Sequence, residues 1–309
     1  MTHIQDNVAL VTVHTPEEEP VYGLARYRFG GDDWLVGLYD PSTDRIGELA
    51  HAPKDWRSAL EFLRPRGDGS VPIDHLEVTV WRSADEIEFL PPVDESCRVF
   101  CVAQNYQAHA RESSGTAAPR EPVIFLKPNS ALVGHRQPTR LPHAAVQFDW
   151  EAELVVVVGA DLDNASPLEA ASAMLGWTIA NDGTARDLQP ITLGGRSIID
   201  WFSAKSIDRS SVMGPAVFPA ANVPDPRQLR IRLSRNGERM QDERASEMVV
   251  SPARLLSHIS RVVSLHPGDV LLTGTPAGVG KGRGVFLDEG DLLEITVEPL
   301  ATVVTHIES

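Results

Sequence analysis

The stretch "FDWEAELVVVVG", residues 148–159, places two glutamates one residue apart at the start of an apolar run. Alternate side chains of a strand share a face, so Glu151 and Glu153 would lie about 7 Å apart along it. The run from Leu154 to Val158 is typical of a strand covered on both faces. One reading is a solvated strand entry, the commoner case for an isolated pair. The other is a site for Mg²⁺ or Mn²⁺, which prefer carboxylate oxygens.

A third acid lies at the end of another predicted strand. In "LGWTIANDGTARDLQ", residues 175–189, a strand from Leu175 to Ala180 breaks at the turn "NDG", which puts Asp182 at the strand end. Taken alone, Asp182 is more often a turn or helix cap than a ligand. A metal site needs this acid to meet the two glutamates in space.

Three further residues have types suited to proton transfer or charge stabilisation. His109 and Glu112 in "QNYQAHARE" would share one face of a helix, and Lys205 in "WFSAKSID" lies between small residues. Each has a structural alternative: a solvated helix pair for His109 and Glu112, and a surface lysine for Lys205. These residues are therefore candidates for catalysis only in combination with the acids.

The glycine-rich stretch "GTPAGVGKGRG", residues 274–284, fails as a phosphate-binding loop. The G-x-x-x-x-G-K-[ST] pattern needs glycine at Thr275 and a hydroxyl residue at Gly282. The G-x-G-x-x-G spacing is absent as well. We interpret the stretch as a flexible turn whose Thr275 and backbone amides face a ligand.

Composition limits the class of partner. A net charge of -15 argues against nucleic acid and anionic membranes, because both require a basic surface. The opening "MTHIQDNVAL" lacks the pattern of a signal peptide, and no apolar run approaches the ~20 residues that span a bilayer. We expect a cytoplasmic protein in which Cys97 and Cys101 are ordinary core residues.

The remaining pattern predicts an α+β fold with two domains. Residues 1–95 combine the strands "VYGLARYRF" and "WLVGLYD" with a helix in "DWRSALEFLR", so we predict a small β-rich N-terminal domain. The polar segment "LPPVDES" would link it to the strand "RVFCVA" and a second domain, residues 96–309. There, strands without regular βαβ alternation disfavour a doubly wound sheet.

Two local elements of the second domain have clear signals. "IRLSRNGERMQ" predicts a hairpin whose Asn236 and Gly237 form a type I′ turn. "SPARLLSHISRVV" predicts a structural helix with Ser251 as N-cap and Pro252 at its first position. Its apolar stripe comprises Leu255, Leu256, Ile259, Val262 and Val263.

From about residue 98 to 298, the chain resembles the fumarylacetoacetate hydrolase family. The motifs are, in the family's order, "CVAQNYQAHARE", "PVIFLKPNSALVG", "FDWEAELVVVVG", "ANDGTARDLQ", "AKSIDRSSVMGP" and "GDVLLTGTPAGVG". Ala103 replaces the family's usual glycine, and the loop after "GVG" is compressed into "KGRGVFLDEGD". The resemblance implies the family's mixed β-sheet roll and a homodimer that assembles through the large domain.

The resemblance also implies roles for individual residues. Glu151, Glu153 and Asp182 would ligate Mg²⁺ or Mn²⁺, and His109 with Glu112 would form an acid/base dyad on a mobile segment. The residues implied to line the substrate site are Lys205, Arg186, Gln189 and Thr275.

Members of the family act on 2-oxo acids and β-diketo acids, and the implied chemistry proceeds through an enolate stabilised by the metal and Lys205. We predict a metal-dependent hydrolase that cleaves a carbon–carbon bond in acylpyruvates or related β-diketo acids, in aromatic catabolism. The alternatives are an oxaloacetate-type decarboxylase and an enol–keto isomerase or hydratase. A non-catalytic protein that binds a metal or small ligand on the same fold is the alternative from a different class.

Overall fold

The computed structural model describes residues 21–309 except Asp32 and Pro224. The opening segment "MTHIQDNVAL", on which the predicted cytoplasmic location partly rests, lies outside the described residues, as do the first residues of the predicted N-terminal domain. Within the described residues, no helix is long and apolar enough to cross a membrane.

The described chain is rich in strands and has short helices. The strands are β1 (Gly23–Arg28), β2 (Trp34–Asp40), β3 (Arg45–Leu49), β4 (Val78–Ser83), β5 (Glu88–Leu90), β6 (Val99–Ala103), β7 (Val123–Lys127), β8 (Leu132–Gly134), β9 (Thr139–Arg140), β10 (Phe148–Asp149), β11 (Ala152–Val158), β12 (Met174–Asn181), β13 (Thr184–Ala185), β14 (Pro190–Leu193), β15 (Arg196–Ile199), β16 (Ser211–Pro219), β17 (Arg230–Arg235), β18 (Glu238–Arg244), β19 (Val270–Leu272), β20 (Leu292–Glu298) and β21 (Ala301–Glu308). The α-helices are α1 (Trp56–Leu60), α2 (Gln107–Ser114), α3 (Pro167–Ser172), α4 (Trp201–Lys205), α5 (Pro252–Ser260) and α6 (Gly280–Arg283).

Two mixed sheets and two small ribbons organise these strands. The large sheet has the order β4-β3-β2-β1-β16-β12-β11-β19-β6-β7, with β5 beside β1 and β8 beside β16. The second sheet has the order β18-β17-β20-β21-β9, and the ribbons are β10-β13 and β14-β15. Most pairs are antiparallel, whereas β19 with β6, β16 with β8 and β21 with β9 are parallel. This architecture confirms the α+β prediction, with the sheets dominant over the helices.

Strand β11 lies inside the large sheet, between β12 and β19. All of its residues are buried, and its register with β12 runs from Ala152 opposite Asn181 to Val158 opposite Met174. The apolar run therefore forms the fully covered strand that its lack of alternation predicts.

The N-terminal strands belong to the same large sheet. Leu24 of β1 lies opposite Val217 of β16, and Trp56 of α1 belongs to the hydrophobic core that contains Val155. The helix in "DWRSALEFLR" is confirmed and continues as a 3-10 turn, with Asp55 as its N-cap. The boundary between residues 95 and 96 stays a prediction.

The predicted hairpin is confirmed, since Asn236 and Gly237 join β17 to β18 with φ of 53° and 78°. Helix α5 is confirmed only in part, because it ends at Ser260, before Val262 and Val263. Val262 is 80% exposed. Val262 lies in a tight turn, where its N–H donates to the Ile259 carbonyl at 2.9 Å. The helix ends before this β-branched valine pair, so the apolar stripe stops at Ile259.

Two smaller predictions concern side chains. Ser251 occupies the N-cap position of α5, but its hydroxyl makes no capping hydrogen bond. Cys97 and Cys101 are buried free thiols, as expected for core residues.

Candidate active site

Three predicted metal ligands lie together where β11 begins and β12 ends. Because the two strands are antiparallel with Ala152 opposite Asn181, Glu151 and Glu153 meet Asp182 across the pair. The Asp182 N–H donates to the Glu151 carbonyl at 2.8 Å, which fixes the turn. One carboxylate oxygen of each acid lies within 4.8 Å of the others, and all three residues are buried.

Two lysines contact this carboxylate triad. Lys205, the last residue of α4, donates from Nζ to Glu151 Oε2 at 2.7 Å and to Asp182 Oδ2 at 2.5 Å. Lys127, the last residue of β7, places Nζ 3.0 Å from Asp182 Oδ1 and donates to the Lys205 carbonyl at 2.6 Å. Both ammonium groups are buried, so their charges act in a medium that screens them weakly.

The two glutamates of the triad have opposite electrostatic environments. Burial opposes the ionisation of Glu151, but Lys205 and Arg186 outweigh it and hold the pKa of that carboxyl well below its usual range. Burial raises the pKa of Glu153 well above its usual range, and Asp182 and Glu151 add to the effect by repulsion. Without an added cation, the site therefore disfavours the charged form of Glu153.

Arg186 is held by a buried acid that the sequence analysis did not single out. Its Nε donates to Asp149 Oδ2 at 2.7 Å, and its Nη2 donates to Glu151 Oε1 at 2.6 Å. Asp149 also accepts hydrogen bonds from the backbone N–H groups of Gly280 at 2.6 Å and Lys281 at 3.0 Å. Asp149 thus links the arginine to the glycine-rich stretch.

His109 and Glu112 lie on one face of α2, as their spacing predicts. His109 Nδ1 is 3.7 Å from Glu112 Oε2, longer than a hydrogen bond, and Ser113 Oγ lies 3.2 Å from both ring nitrogens. Burial opposes the ionisation of Glu112, but His109 and the backbone N–H of Gly278 lower its pKa. Gly282 packs against this acid so closely that a Cβ would lie 2.4 Å from Glu112 Cγ.

Backbone amides of the glycine-rich stretch serve the protein's own acids. The Gly278 N–H donates to Glu112 at 3.0 Å, and the Gly280 and Lys281 N–H groups donate to Asp149. These three amides do not face a ligand, contrary to the interpretation from the sequence, because two carboxylates already accept their hydrogen bonds. The stretch ends in the single helical turn of α6.

One cavity of about 440 Å³ brings the predicted site residues together. Its lining includes His109, Glu151, Glu153, Asp182, Arg186, Gln189, Lys205 and Thr275. Glu112 is the predicted residue that does not line it and lies behind His109. The Thr275 hydroxyl donates to the Ala152 carbonyl at 2.9 Å and accepts from Gln241 at 2.8 Å. The catalytic and binding roles of these residues stay predictions.

Part of the cavity lining is apolar. Phe125 stacks on Trp201 with centroids 4.7 Å apart and an interplanar angle of 11°. Ile198 and Ile199 of the β14-β15 ribbon extend this wall. The cavity therefore offers a charged end for a polar head group and an apolar surface for a carbon chain.

Asp149 and Lys127 are the site residues that sequence reasoning missed. Asp149 lies two residues before Glu151 in the same motif, so a third acid in "FDWEAE" was an available signal. Lys127 ends an apolar strand just before a proline. A charge in that place needs a partner, but the partner, Asp182, is distant in sequence.

The carboxylate triad fits a divalent cation. Asp182 Oδ1 is buried and accepts no hydrogen bond in the described part of the chain, despite its closeness to Lys127 Nζ. Glu153 forms no ion pair with any described lysine or arginine. It accepts a hydrogen bond from the Gly274 N–H at 2.6 Å. Three carboxylates without histidine or cysteine form a donor set that suits hard cations such as Mg²⁺ and Mn²⁺.

Comparisons with known proteins match the whole region that forms this site. Residues 98–308 match the family model described as fumarylacetoacetate (FAA) hydrolase C-terminal. A mitochondrial oxaloacetate tautomerase of Bos taurus is 38% identical over 224 residues, which cover 72% of this chain and 70% of that protein. A mitochondrial oxaloacetate tautomerase of Rattus norvegicus is 32% identical and covers 97% of this chain and 92% of its own.

Two solved structures extend the comparison to other reactions. A 2-hydroxyhepta-2,4-diene-1,7-dioate isomerase from Mycobacterium marinum aligns with a TM-score of 0.70 at 30% identity, covering 93% of this chain and 98% of its own. A fumarylpyruvate hydrolase from Pseudomonas aeruginosa, in complex with Mn²⁺ and pyruvate, aligns with a TM-score of 0.61 at 32% identity. That alignment covers 71% of this chain and 91% of the hydrolase.

Proposed function

Because this chain belongs to the fumarylacetoacetate hydrolase family, we propose that it enolises 2-oxo acids with the help of a divalent metal. The first candidate reaction is the keto–enol tautomerisation of an oxaloacetate-type acid. It is supported by the oxaloacetate tautomerases among the relatives, which are 32–38% identical to this chain over the aligned residues. An enolate of the 2-oxo acid is also the species that isomerisation, decarboxylation and hydrolysis of such acids have in common.

Glu151, Glu153 and Asp182 would hold Mg²⁺ or Mn²⁺. When bound, such an ion supplies a Lewis acid that polarises the carbonyl group of a 2-oxo acid. The Mn²⁺ and pyruvate in the related fumarylpyruvate hydrolase support this assignment. The burial of all three acids supports it as well, because a cation would offset the burial and the repulsion that raise the pKa of Glu153.

Lys205 carries the proposal, because its ammonium lies within hydrogen-bond distance of two of the three acids. A group that contacts the triad this closely also reaches the carbonyl end of a substrate placed beside it. The charge of Lys205 is secure, since Asp182 and Glu151 outweigh burial and raise its pKa. Lys205 would stabilise the negative oxygen as the enolate develops.

His109 would move the proton between carbon and solvent. It lines the cavity, and the Glu112 carboxylate lies behind it, 3.7 Å from Nδ1. Arg186 and Gln189 would bind the substrate carboxylate. The Nε and Nη2 groups of Arg186 are engaged, while Nη1 donates a hydrogen bond to no described residue.

The test is the interconversion of enol- and keto-oxaloacetate, followed by the ultraviolet absorbance of the enol. Protein with Mg²⁺ or Mn²⁺ should accelerate this interconversion above the rate with the metal alone. A rate equal to that of the metal alone would refute tautomerisation as the first candidate.

Hydrolysis of acylpyruvates, the reaction predicted from the sequence, is the second candidate. It is supported by the size and the apolar wall of the cavity, which suit a longer carbon chain than that of oxaloacetate. In this reaction His109 would take a proton from water, which then attacks the distal carbonyl. Cleavage of acetylpyruvate or fumarylpyruvate to pyruvate tests it, and this reaction would place the protein in aromatic catabolism.

We also propose a homodimer and a cytoplasmic location. The apolar β14-β15 ribbon exposes Ile191 by 41% and Leu193 by 67%, and a second copy of the chain would cover such a surface. A protein that only binds a metal or a small ligand, without catalysis, has less support. The His109–Glu112 pair and Lys205, whose side chains suit proton transfer and charge stabilisation, count against it.

A further inference from the structure

Lys281 is a cation of the active-site cavity whose ammonium is in contact with no acid of the described part of the chain. It lies in α6, within the stretch "GVGKGRG", and lines the same cavity as Arg186. Its backbone N–H donates to Asp149 Oδ2 at 3.0 Å, so the main chain is anchored at this position. Its ammonium forms neither a hydrogen bond nor an ion pair with any residue that the structure describes.

The other cations of the cavity differ from Lys281 in this respect. Arg186 is bound by Asp149 and Glu151, and Lys205 is bound by Glu151 and Asp182. Their charges are largely balanced by the protein. The charge of Lys281 is therefore available to an anion that enters from outside.

The surroundings of Lys281 favour such an anion. Partial burial and repulsion from Arg186 lower the pKa of its ammonium, and the carboxylates of Asp149 and Glu151, which form no ion pair with it, offset this only in part. A carboxylate next to Lys281 would counter both effects, because an opposite charge favours the protonated form. Because Asp149 holds the main chain of Lys281 in place, less conformational entropy would be lost when the Lys281 side chain binds a carboxylate.

The same cavity also contains both the carboxylate triad and Lys281. The carboxylate triad occupies one part of the lining, and the apolar residues Phe125, Ile198 and Trp201 occupy another. A substrate whose head group binds at the triad would place its carbon chain against these apolar side chains. Lys281 lines the same cavity and is then available to the far end of the substrate.

We propose that Lys281 binds a second carboxylate, at the end of the substrate away from the 2-oxo acid group. The preferred substrates would accordingly be dicarboxylic 2-oxo acids, and Lys281 would select them over monocarboxylic ones. This inference rests on the proposed function, since it assumes that the 2-oxo acid end binds beside Glu151, Glu153 and Asp182.

The experiment compares ligands of equal chain length that differ only at the far end. Mn²⁺-loaded protein is titrated by calorimetry with 2-oxoadipate and 2-oxohexanoate, and with 2-oxoglutarate and 2-oxopentanoate. The test variant is Lys281→Gln. The matched control is Lys54→Gln, which removes one exposed lysine outside the cavity. Melting temperatures confirm that each variant folds.

In the wild type and in Lys54→Gln, at least one dicarboxylate should bind more tightly, by about 10-fold or more, than the monocarboxylate of the same chain length. This is the gain expected for a charge-assisted hydrogen bond. In Lys281→Gln the ratio of the two dissociation constants should fall to near 1. A wild-type ratio near 1 in both pairs, or an unchanged ratio in Lys281→Gln, would overturn the role of Lys281. Failure of every 2-oxo acid to bind would instead overturn the proposed function, and this inference with it.

Discussion

The ammonium of Lys205 lies 2.5 Å from Asp182 Oδ2, so a buried lysine directly contacts a predicted metal ligand. It also donates to Glu151 Oε2 at 2.7 Å. The lysine is thus placed to neutralise the acids and to meet negative charge that develops on a substrate beside them. This double position explains why one residue is expected to affect both catalysis and stability.

Replacement of Lys205 should therefore have two measurable effects. Lys205→Met should lower kcat for enolisation about 10²–10³-fold, because it removes a group that stabilises the enolate. It should also destabilise the metal-free protein by about 3 kcal/mol, because Glu151 and Asp182 lose a buried partner. Lys54→Met is the control for loss of a lysine charge, and equal activity of the two variants would exclude Lys205 from catalysis.

Metal dependence follows from the three buried acids. Excess EDTA should abolish activity, and Mg²⁺ or Mn²⁺ should restore it, because the acids offer a site for a hard cation. Glu153→Gln should weaken the metal affinity measured by calorimetry. It should leave the metal-free protein folded, since glutamine resembles the uncharged carboxyl that burial and the neighbouring acids favour at this position. Full activity in excess chelator would disprove the site.

Replacement of His109 should distinguish reactions that need a proton-transferring base from decarboxylation, which needs only stabilisation of the enolate. His109→Ala should lower tautomerisation and acylpyruvate hydrolysis by about 10²–10⁴-fold. Decarboxylation of oxaloacetate should fall much less, whereas Glu151→Ala should abolish all of these activities. If His109 only packs within α2, the melting temperature would fall while the turnover of each folded molecule stayed at the wild-type level.

His135 predicts a specific pH dependence of stability. It is buried, and burial lowers its pKa from 6.5 to about 3, so the folded protein keeps it neutral. Between these values the unfolded chain binds a proton that the folded chain does not, so stability is lost as the pH falls. Its contribution should decrease by about 2–3 kcal/mol between pH 7 and pH 4.5.

Urea unfolding of the wild type and His135→Asn measures this effect. The asparagine oxygen can accept the hydrogen bond that the Val304 N–H donates to Nδ1 at 3.0 Å. The stability advantage of the wild type over the variant should shrink as the pH falls. A difference that is constant between pH 7 and pH 4.5 would show that His135 takes up a proton in the folded state.

The proposed dimer depends on the exposed apolar ribbon. Sedimentation at micromolar concentration should show a dimer for the wild type. Leu193→Asp should shift it towards the monomer, because the substitution places a charge in an apolar contact. Leu193 does not line the cavity, so its effect on assembly can be measured apart from substrate binding. A monomeric wild type would contradict the proposal.

Local patterns predicted the elements that carry the site. The apolar run after Glu153 predicted a buried central strand, and the break at Asp182 predicted a strand end. The family motifs joined these two signals into one metal site. Their meeting in the structure follows from the antiparallel register of β11 and β12, which no single stretch of sequence contains.

Contacts between distant parts of the chain were not predicted. Lys127 approaches Asp182, and Asp149 accepts from Gly280, through tertiary packing without a local sequence signal. The end of α5 was wrong by a few residues, because an apolar stripe does not reveal where a valine pair leaves the helix. Helix ends depend on local turns as well as on periodicity.

The central claim is that Lys205 and the metal held by the carboxylate triad promote enolisation of a 2-oxo acid. The most direct measurement is the exchange of the C3 hydrogens of 2-oxoglutarate for deuterium, followed by proton NMR in D₂O with Mg²⁺-loaded protein. The predicted result is exchange well above the background, which is lost with EDTA and strongly reduced in Lys205→Met. Exchange at the background rate in the wild type, with the ligand shown by calorimetry to bind, would contradict the account.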